Sequence, residues 1–378
     1  MENFDIIKIK KEKSLNTSNS EAQYYDMIVF CHLRWQFVYQ RPQHIISRMS
    51  AHQKILLVEE PIHFEQHERG TATIDVINEQ LHILQPKVES IEAIAEVLNK
   101  YVLNKNVPVG WFYSASFSPL LGALQFETVV YDCMDELSLF KGAPQQLIDQ
   151  EKYLLANADI VFTGGKSLYE SKNKMHSNVY CFPSSVDEAH FSKALNGIAV
   201  PEDIANLAAP IVGYFGVIDE RVDLALINDT AIKMPEVSFV MIGPIAKIQD
   251  SDLPKQHNIH YLGMKSYEEL PNYLKGFSIA MMPFALNDAT KYISPTKTLE
   301  YMAAGKPIIS TKITDVVRDY SDCVTFASSA SEFTEAVNAI LEDNNKISRE
   351  ASYQEILKNT SWDATASQMK TLIKKLAK

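Results

Sequence analysis

"SIAMMPFALNDATKYISPTKTLEYMAAGKPIIS", Ser278 to Ser310, divides into a strand over 278–284, a loop, a helix from Pro295 closed by Gly305, and a second strand over 307–310. Two short apolar runs joined by a helix make a parallel strand–helix–strand unit. Ser294 suits the N-cap, and Pro295 suits the first helical position, where a missing N–H costs nothing. Lys297 then falls in the first turn, against the positive end of the helix dipole. That placement costs a few tenths of a kcal/mol, up to about 1. Glu300 follows at i+3, the weaker order for an ion pair. A bound anion would remove the mismatch, because the free N–H groups, the dipole and Lys297 would converge on a phosphate or diphosphate. Glu300, about 4.5 Å further along the axis, would accept hydrogen bonds from a neighbouring sugar hydroxyl. The same residues also fit an exposed Lys297–Glu300 pair worth a few tenths of a kcal/mol.

The strand–helix alternation continues outward from this unit. A first series of strands reads as "MIVFC" (27–31), "KILLVE" (54–59), "LHIL" (81–84), "VGWFYS" (109–114), "TVVYDC" (128–133), "DIVFT" (159–163) and "NVYCF" (178–182). After a composition shift at "SKALNGIAVPEDIANLAAP" (192–210), read as an interdomain connection, a second series follows: "IVGYFGVI" (211–218), "SFVMIG" (238–243), "IHYLG" (259–263), 278–284, 307–310 and "VTFA" (324–327). Two such series predict an α/β protein of two doubly wound, Rossmann-like domains facing a cleft. The expected division is a polar arm over 1–22, a first domain over 23–195, a second domain over 205–355, and a C-terminal helix over 356–378 that packs back on the first domain. Ligands of such folds bind beyond the carboxyl ends of the strands. Closure on a ligand is expected, with 192–210 and the region of Trp362 as the hinge.

The composition, 46% hydrophobic and 22% charged over 378 residues, fits a globular protein with two ordinary cores. Acidic residues outnumber basic ones by 47 to 36, which excludes a broad nucleic-acid surface. The cysteines at 31, 133, 181 and 323 are dispersed, so neither a disulfide framework nor a zinc knuckle is expected, and a reducing cytoplasm is the natural location. The first 22 residues lack the apolar core of a signal peptide. No apolar run approaches the ~18 residues of a membrane span. "QMKTLIKKLAK" at the chain end is a basic amphipathic helix, read as packed on one face, with peripheral contact at the inner face of the cell membrane as the alternative. "FTGGKS" (162–167) has Ile160 where a phosphate-binding loop needs glycine, so it reads as a glycine turn before a helix capped by Ser167. The turn "CHLRWQFVYQRP" has no glycine and cannot be a dinucleotide fingerprint. "HFEQH" (63–67) and "DSD" (250–252) lack further ligands nearby, so no metal and no cofactor are expected.

Three further segments carry chemistry. Arg221 in "GYFGVIDERVD" follows the first strand of the second series, where a guanidinium can clamp a diphosphate; beside Asp219 and Glu220 it is equally an ordinary arginine. "HLRWQFVYQRPQH" gathers His32, Arg34, Trp35, Tyr39, Gln40 and Arg41, a set suited to a carbohydrate acceptor, with Trp35 as well suited to the core. "YDCMDELSLFKG" places Asp132 and Asp135 at a strand end, each a candidate base or hydroxyl acceptor, or a simple cap.

"SPTKTLEYMAAGKPIIS" resembles the donor-binding helix of bacterial family 4 glycosyltransferases of GT-B fold, and "VYCFPSSVDEAHF" resembles the segment that ends their first domain. "IVFCHLRWQFVYQRPQHI" and "VVYDCMDELSLFKG" resemble more closely the teichuronic-acid-type or polysaccharide glycosyltransferases. The resemblance runs from Tyr25 to the chain end. It implies a nucleotide-sugar donor, a glycan or lipid-linked glycan acceptor of the cell envelope, no metal, and retention of anomeric configuration. In the site it implies, Glu300 holds the ribose, Lys297 and Arg221 hold the diphosphate, and Gly216, Tyr292, Ser294 and Thr296 line the donor. Two positions depart from the pattern. Tyr292 stands where a second glutamate is frequent, and Met134 with Asp135 where a histidine is frequent. The expected activity is a hexosyltransferase-like transfer in which Arg221 and Lys297 stabilise the leaving diphosphate. Asp135 or Asp132 would orient or deprotonate the acceptor hydroxyl, with His32, Arg34, Trp35, Gln40 and Arg41 on the acceptor side. A sugar-nucleotide epimerase on the same fold, or a non-catalytic sugar-nucleotide-binding partner of glycan assembly, are the alternatives.

Overall fold

The computed structural model describes residues 22–342 and 346–376, so nearly all of the polar arm lies outside the described residues. The first sheet contains β1 (Met27–Cys31), β2 (Ile55–Glu59), β3 (Thr71–Asn78), β4 (Leu81–Lys87), β5 (Asn106–Phe112), β6 (Gln125–Cys133), β7 (Ile160–Thr163) and β8 (Val179–Cys181). Their order is β3-β4-β2-β1-β5-β6-β7-β8. All neighbours are parallel except β3 and β4. The central strands are apolar throughout because helices cover both faces. Alternate residues feed two cores: Ile28, Phe30, Leu56 and Val58 on one face, and Met27, Val29, Ile55 and Leu57 on the other.

β3 is a strand that the sequence pattern did not reveal. It is an edge strand paired only to β4, and Ile74 is its one fully buried residue. A strand with so little buried face leaves almost no apolar period to read.

The second sheet contains β9 (Ile211–Phe215), β10 (Ser238–Ile242), β11 (Ile259–Gly263), β12 (Ile279–Met282), β13 (Ile308–Ser310) and β14 (Thr325–Phe326). It is wholly parallel, in the order β11-β10-β9-β12-β13-β14. The order reverses at β9, with β10 on one side and β12 on the other, which opens the crevice where such sheets take ligands.

The chain crosses between the two cores twice. Phe182 lies in the first core, and Val186 and Phe191 lie in the second. On the return, Leu357 is in the second and Trp362 in the first. The crossings touch: Val186 bridges Ser361, and the Ser185 and Thr365 hydroxyls lie 2.9 Å apart. The segment 192–210, expected as the connection and hinge, is instead built into the second domain. Ala194 and Ile204 belong to that core, and Lys275 Nζ donates to the carbonyls of Asn196 and Ile198 at 2.8 and 2.7 Å. The segment is rich in alanine, leucine and isoleucine, which suits a packed surface position and not a free linker. The final helix, Trp362–Leu376, places Trp362, Ala366, Met369 and Ile373 against the first core. Trp362 stacks on His44 of the Arg41–Met49 helix with ring centroids 4.7 Å apart. Among the described residues no helix is long and apolar enough to cross a membrane.

Candidate functional site

At the crevice, Lys297 opens the helix Lys297–Ala303, two residues later than the sequence suggested. Thr296 is its N-cap, in helical conformation and without a side-chain cap bond. Ser294 does not cap; its carbonyl accepts a hydrogen bond from Ser184 Oγ at 2.5 Å, tying the helix entry to the first interdomain crossing. The Lys297 side chain lies along the end of β9. A Cβ on Gly216 would sit 2.3 Å from Lys297 Cε, and Gly216 has φ +141°. Both the space and the backbone conformation therefore require glycine there.

The exposed Lys297–Glu300 pair does not occur. Glu300 is buried, and among the described residues no carboxylate lies in ion-pair contact with Lys297; its nearest aromatic face is Tyr214, 5.8 Å from Nζ. Burial pushes the Glu300 carboxyl up to about 7, against the opposing charge of Lys297 and a hydrogen bond from Thr296. Burial lowers the Lys297 ammonium, opposed by Glu300. A buried carboxyl and a cation without an ion-pair partner among the described residues suit a ligand of complementary chemistry.

Arg221 approaches from the loop after β9 with its charge already matched. Its Nε and Nη2 donate to Asp219 Oδ1 and Oδ2 at 3.0 and 2.7 Å. Phe140, from the first domain, lies 5.5 Å from the Arg221 guanidinium carbon and 4.9 Å from Lys247 Nζ. Lys141 N–H donates to Glu220 Oε1 at 3.2 Å. The sequence reading missed Lys247. It stands four residues past Gly243 in the loop after β10, and the strand-end rule that selected Arg221 selects it equally well.

The candidate carboxylates of the first domain separate. Asp132 is fully buried and accepts from Arg41 Nε and Nη2 at 3.1 and 2.8 Å. Arg41 Nη1 donates in turn to the Phe182 carbonyl at 2.7 Å. Asp132 and Arg41 thus fasten the domain internally, and neither is presented to the cleft as a base or an acceptor ligand. Asp135 is only partly buried; burial raises its carboxyl above the usual range, with Arg221 opposing.

The proposed acceptor loop is also mostly engaged. Arg34 donates to Glu59 Oε2 and to the carbonyls of Glu60 and Pro61, at 3.0, 2.6 and 3.0 Å. Trp35 N–H donates to Glu59 Oε1 at 2.6 Å, and its ring packs on the first core. Gln40 N–H donates to Gln43 Oε1 at 3.1 Å. Tyr39 stacks on Tyr267 of the second domain at 4.5 Å. His32 differs from these: its Nδ1 is buried without a hydrogen-bond partner, and burial with the charge of Lys247 pushes its imidazole down to about 4. Tyr292, expected beside the donor sugar, packs against the first-domain core.

The "FTGGKS" stretch is a glycine turn between β7 and a helix, as read, but with a different cap and an added contact. Gly165, not Ser167, is the N-cap of the helix Lys166–Lys172. Ser167 N–H and Oγ bind the Asp315 carboxylate of the second domain, at 3.2 and 2.5 Å. A Cβ on Gly165 would lie 2.6 Å from Asp315 Oδ2. The helix start holds a carboxylate from the facing domain, and Arg318 adds an ion pair to Glu170 at 3.0 Å. Among the described residues no group of three or more His, Cys, Asp or Glu could hold a metal.

Residues 209–343 match the family described as glycosyl transferases group 1. The chain is 25% identical, over 221 residues, to a putative teichuronic acid biosynthesis glycosyltransferase, TuaH, of Bacillus subtilis (strain 168). That match covers 54% of this chain and spans 55% of the relative's length. The structure is similar to sucrose-phosphate synthase from Thermosynechococcus elongatus, with a TM-score of 0.69 at 14% identity over 93% of this chain and 98% of that one. It is also similar to Anabaena Alr3699/HepE in complex with UDP-glucose, with a TM-score of 0.68 at 12% identity over 93% and 100%. An E. coli trehalose-6-phosphate structure bound with UDP-2-fluoro glucose aligns with a TM-score of 0.66 at 10% identity over 92% and 98%. These neighbours share the GT-B fold, which is the fold of this chain.

Proposed function

We propose that this chain, whose residues 209–343 are a glycosyl transferases group 1 domain on a GT-B fold, moves a sugar from a nucleotide-diphosphate donor to a glycan or lipid-linked glycan of the cell surface. The observation that carries the reading is Lys297: a cation drawn against Gly216 at the crevice, with buried Glu300 one turn behind it and no carboxylate partner among the described residues. A diphosphate between Lys297 and the end of β9 would match that charge, and Glu300 in its ionised form would accept from the ribose hydroxyls. Negative charge grows on the diphosphate as the glycosidic bond breaks, so Lys297 stabilises the transition state more than the ground state. Arg221 joins it by exchanging part of its bond to Asp219. Asp135 is the carboxylate left to orient or deprotonate the acceptor hydroxyl. UDP-sugar complexes among the structural neighbours support the donor class, and the name of the Bacillus subtilis relative supports a cell-surface glycan.

Transfer with retention and without a metal belongs to the same reading. So does work on a cytoplasmic donor pool, with lipid-linked acceptors met at the inner membrane face. Calorimetric titration of UDP against wild type, Lys297→Ala and Glu300→Ala tests the donor site; equal affinities in all three would remove it. Turnover should persist in excess EDTA, and loss of turnover restored by magnesium or manganese would overturn the metal-free mechanism. The anomeric configuration of the product, read by NMR, decides retention.

A further inference from the structure

The cation that the donor reading leaves unused is Lys247. Lys297 lies at the end of β9, on the side of β12, where the crevice opens. Lys247 follows β10, on the other side of β9. Its backbone adopts φ +60°, the one non-glycine residue with positive φ among the described residues. A side-chain-bearing residue keeps that conformation only where the surroundings hold it. Here they do: Ile218 N–H donates to the Pro244 carbonyl at 2.9 Å and Ala246 N–H to the Ile218 carbonyl at 3.0 Å, locking the loops after β9 and β10 together. The held turn points Lys247 toward the first domain, with Nζ over the Phe140 ring. Among the described residues it makes no ion pair and no hydrogen bond. Its charge reaches His32, from the loop after β1, whose Nδ1 is buried and unpartnered.

An ammonium without an ion pair among the described residues, its charge felt by His32 and by the Asp135 carboxyl, and an orphan imidazole nitrogen thus belong to loops of the two domains that come together beyond their strand ends. One atom seeks negative charge, and the other seeks a hydrogen-bond partner. A neutral sugar would satisfy His32 alone. A sugar carrying a carboxylate or phosphate satisfies both, with a hydroxyl at His32 and the anionic group at Lys247. We propose that Lys247 and His32 form a subsite for an acidic sugar unit, selecting negative charge on the transferred sugar or on the acceptor residue that meets it. The inference rests on the donor reading, because it assumes that the diphosphate lies at Lys297.

Two arms separate the sources of the charge. In the donor arm, UDP, UDP-glucose and UDP-glucuronate are titrated calorimetrically against wild type, Lys247→Ala and Lys247→Arg. In the acceptor arm, the UDP-loaded proteins are titrated by NMR with methyl glucuronide, glucose 1-phosphate and methyl glucoside. In one arm the wild type should bind the acidic ligand at least tenfold more tightly than its neutral counterpart. Lys247→Ala should erase that preference while leaving UDP affinity within twofold, and Lys247→Arg should keep most of it. His32→Ala should weaken acidic and neutral sugars alike. No acid preference in either arm, or a preference that survives Lys247→Ala, would overturn the subsite and leave the donor reading intact. A tenfold loss of UDP affinity in Lys247→Ala would make Lys247 a diphosphate ligand and overturn it equally. A wild-type chain that binds none of UDP, GDP, CDP and dTDP would overturn the donor reading, and this subsite with it.

Discussion

Lys297 makes a specific energetic statement at the level of a single residue. It sits at the positive end of a helix, partly buried, beside a carboxylate that it does not touch. The helix-end position and the burial disfavour the folded chain, and the attraction of Glu300 offsets them only in part. Lys297→Ala should therefore leave stability to chemical denaturation unchanged or slightly raised, while weakening UDP binding about ten- to a hundredfold, as for a desolvated charge-assisted contact. A structural lysine would show the opposite pattern. Glu300 gives a prediction in pH. Its folded carboxyl titrates at about 7, above the ordinary value of 4.5. Between those values the folded state keeps a proton that the unfolded chain has lost. Stability therefore falls as pH rises through this window, and the deficit is complete above about pH 7. The interval corresponds to an order of 3 kcal/mol. Glu300→Gln should gain on wild type in denaturant midpoint at pH 8 and match it at pH 4. Parallel pH profiles for the two proteins would show that Glu300 ionises freely.

Among the elements, the buried Arg41–Asp132 pair decides how one helix meets the first sheet. It joins the Arg41–Met49 helix to β6 and, through the Phe182 carbonyl, to the segment leaving β8. Truncating one member strands the other charge in the interior, at a cost of about 3–5 kcal/mol. Asp132→Ala should lower the denaturant midpoint accordingly, yet the folded fraction should bind UDP as wild type does. A stable Asp132→Ala protein that binds donor but fails in transfer would return Asp132 to catalysis. The C-terminal helix is fixed in a comparable way by apolar packing, with Trp362 essentially inaccessible to solvent. Trp362→Ala should cost about 3–5 kcal/mol by cavity formation, measurable in the same denaturation experiment.

For the whole molecule, the two domains are joined by adjacent crossings at one end and, across the cleft, by contacts that include Asp315 with Ser167, Arg318 with Glu170, Lys141 with Glu220 and Tyr39 with Tyr267. Such an arrangement opens by rotation about the crossings as these contacts are lost, and Asp315–Ser167 is the most deeply buried charged one among them. A charge-assisted contact of this kind is worth about 1.5–3 kcal/mol, enough to change the balance between open and closed forms. Asp315→Ala should have a larger radius of gyration than wild type without ligand, by small-angle scattering, and should compact more on adding UDP. Identical profiles for both proteins, with and without UDP, would show that Asp315 does not govern closure.

The alternation of apolar runs with helical segments determined two mainly parallel sheets, because strand and helix periods depend on local backbone geometry and on which faces are buried. Lys297 was legible for a similar reason: a cation in the first turn of a helix is a local electrostatic misfit, visible without knowing the fold. Asp132 and Asp135, three residues apart in "YDCMDELSLFKG", were not separable. Which one stays open depends on Arg41, which is distant in sequence and adjacent only after packing. The same holds for the segment 192–210, whose mixture of small apolar and polar residues suits either a linker or a surface held through its carbonyls. Lys247 and Phe140 gain meaning only when loops from two domains meet beyond their strand ends. Local periodicity is set by short-range bonding and burial, whereas a charge counts as unmatched only once every distant chain segment that could match it has taken its place.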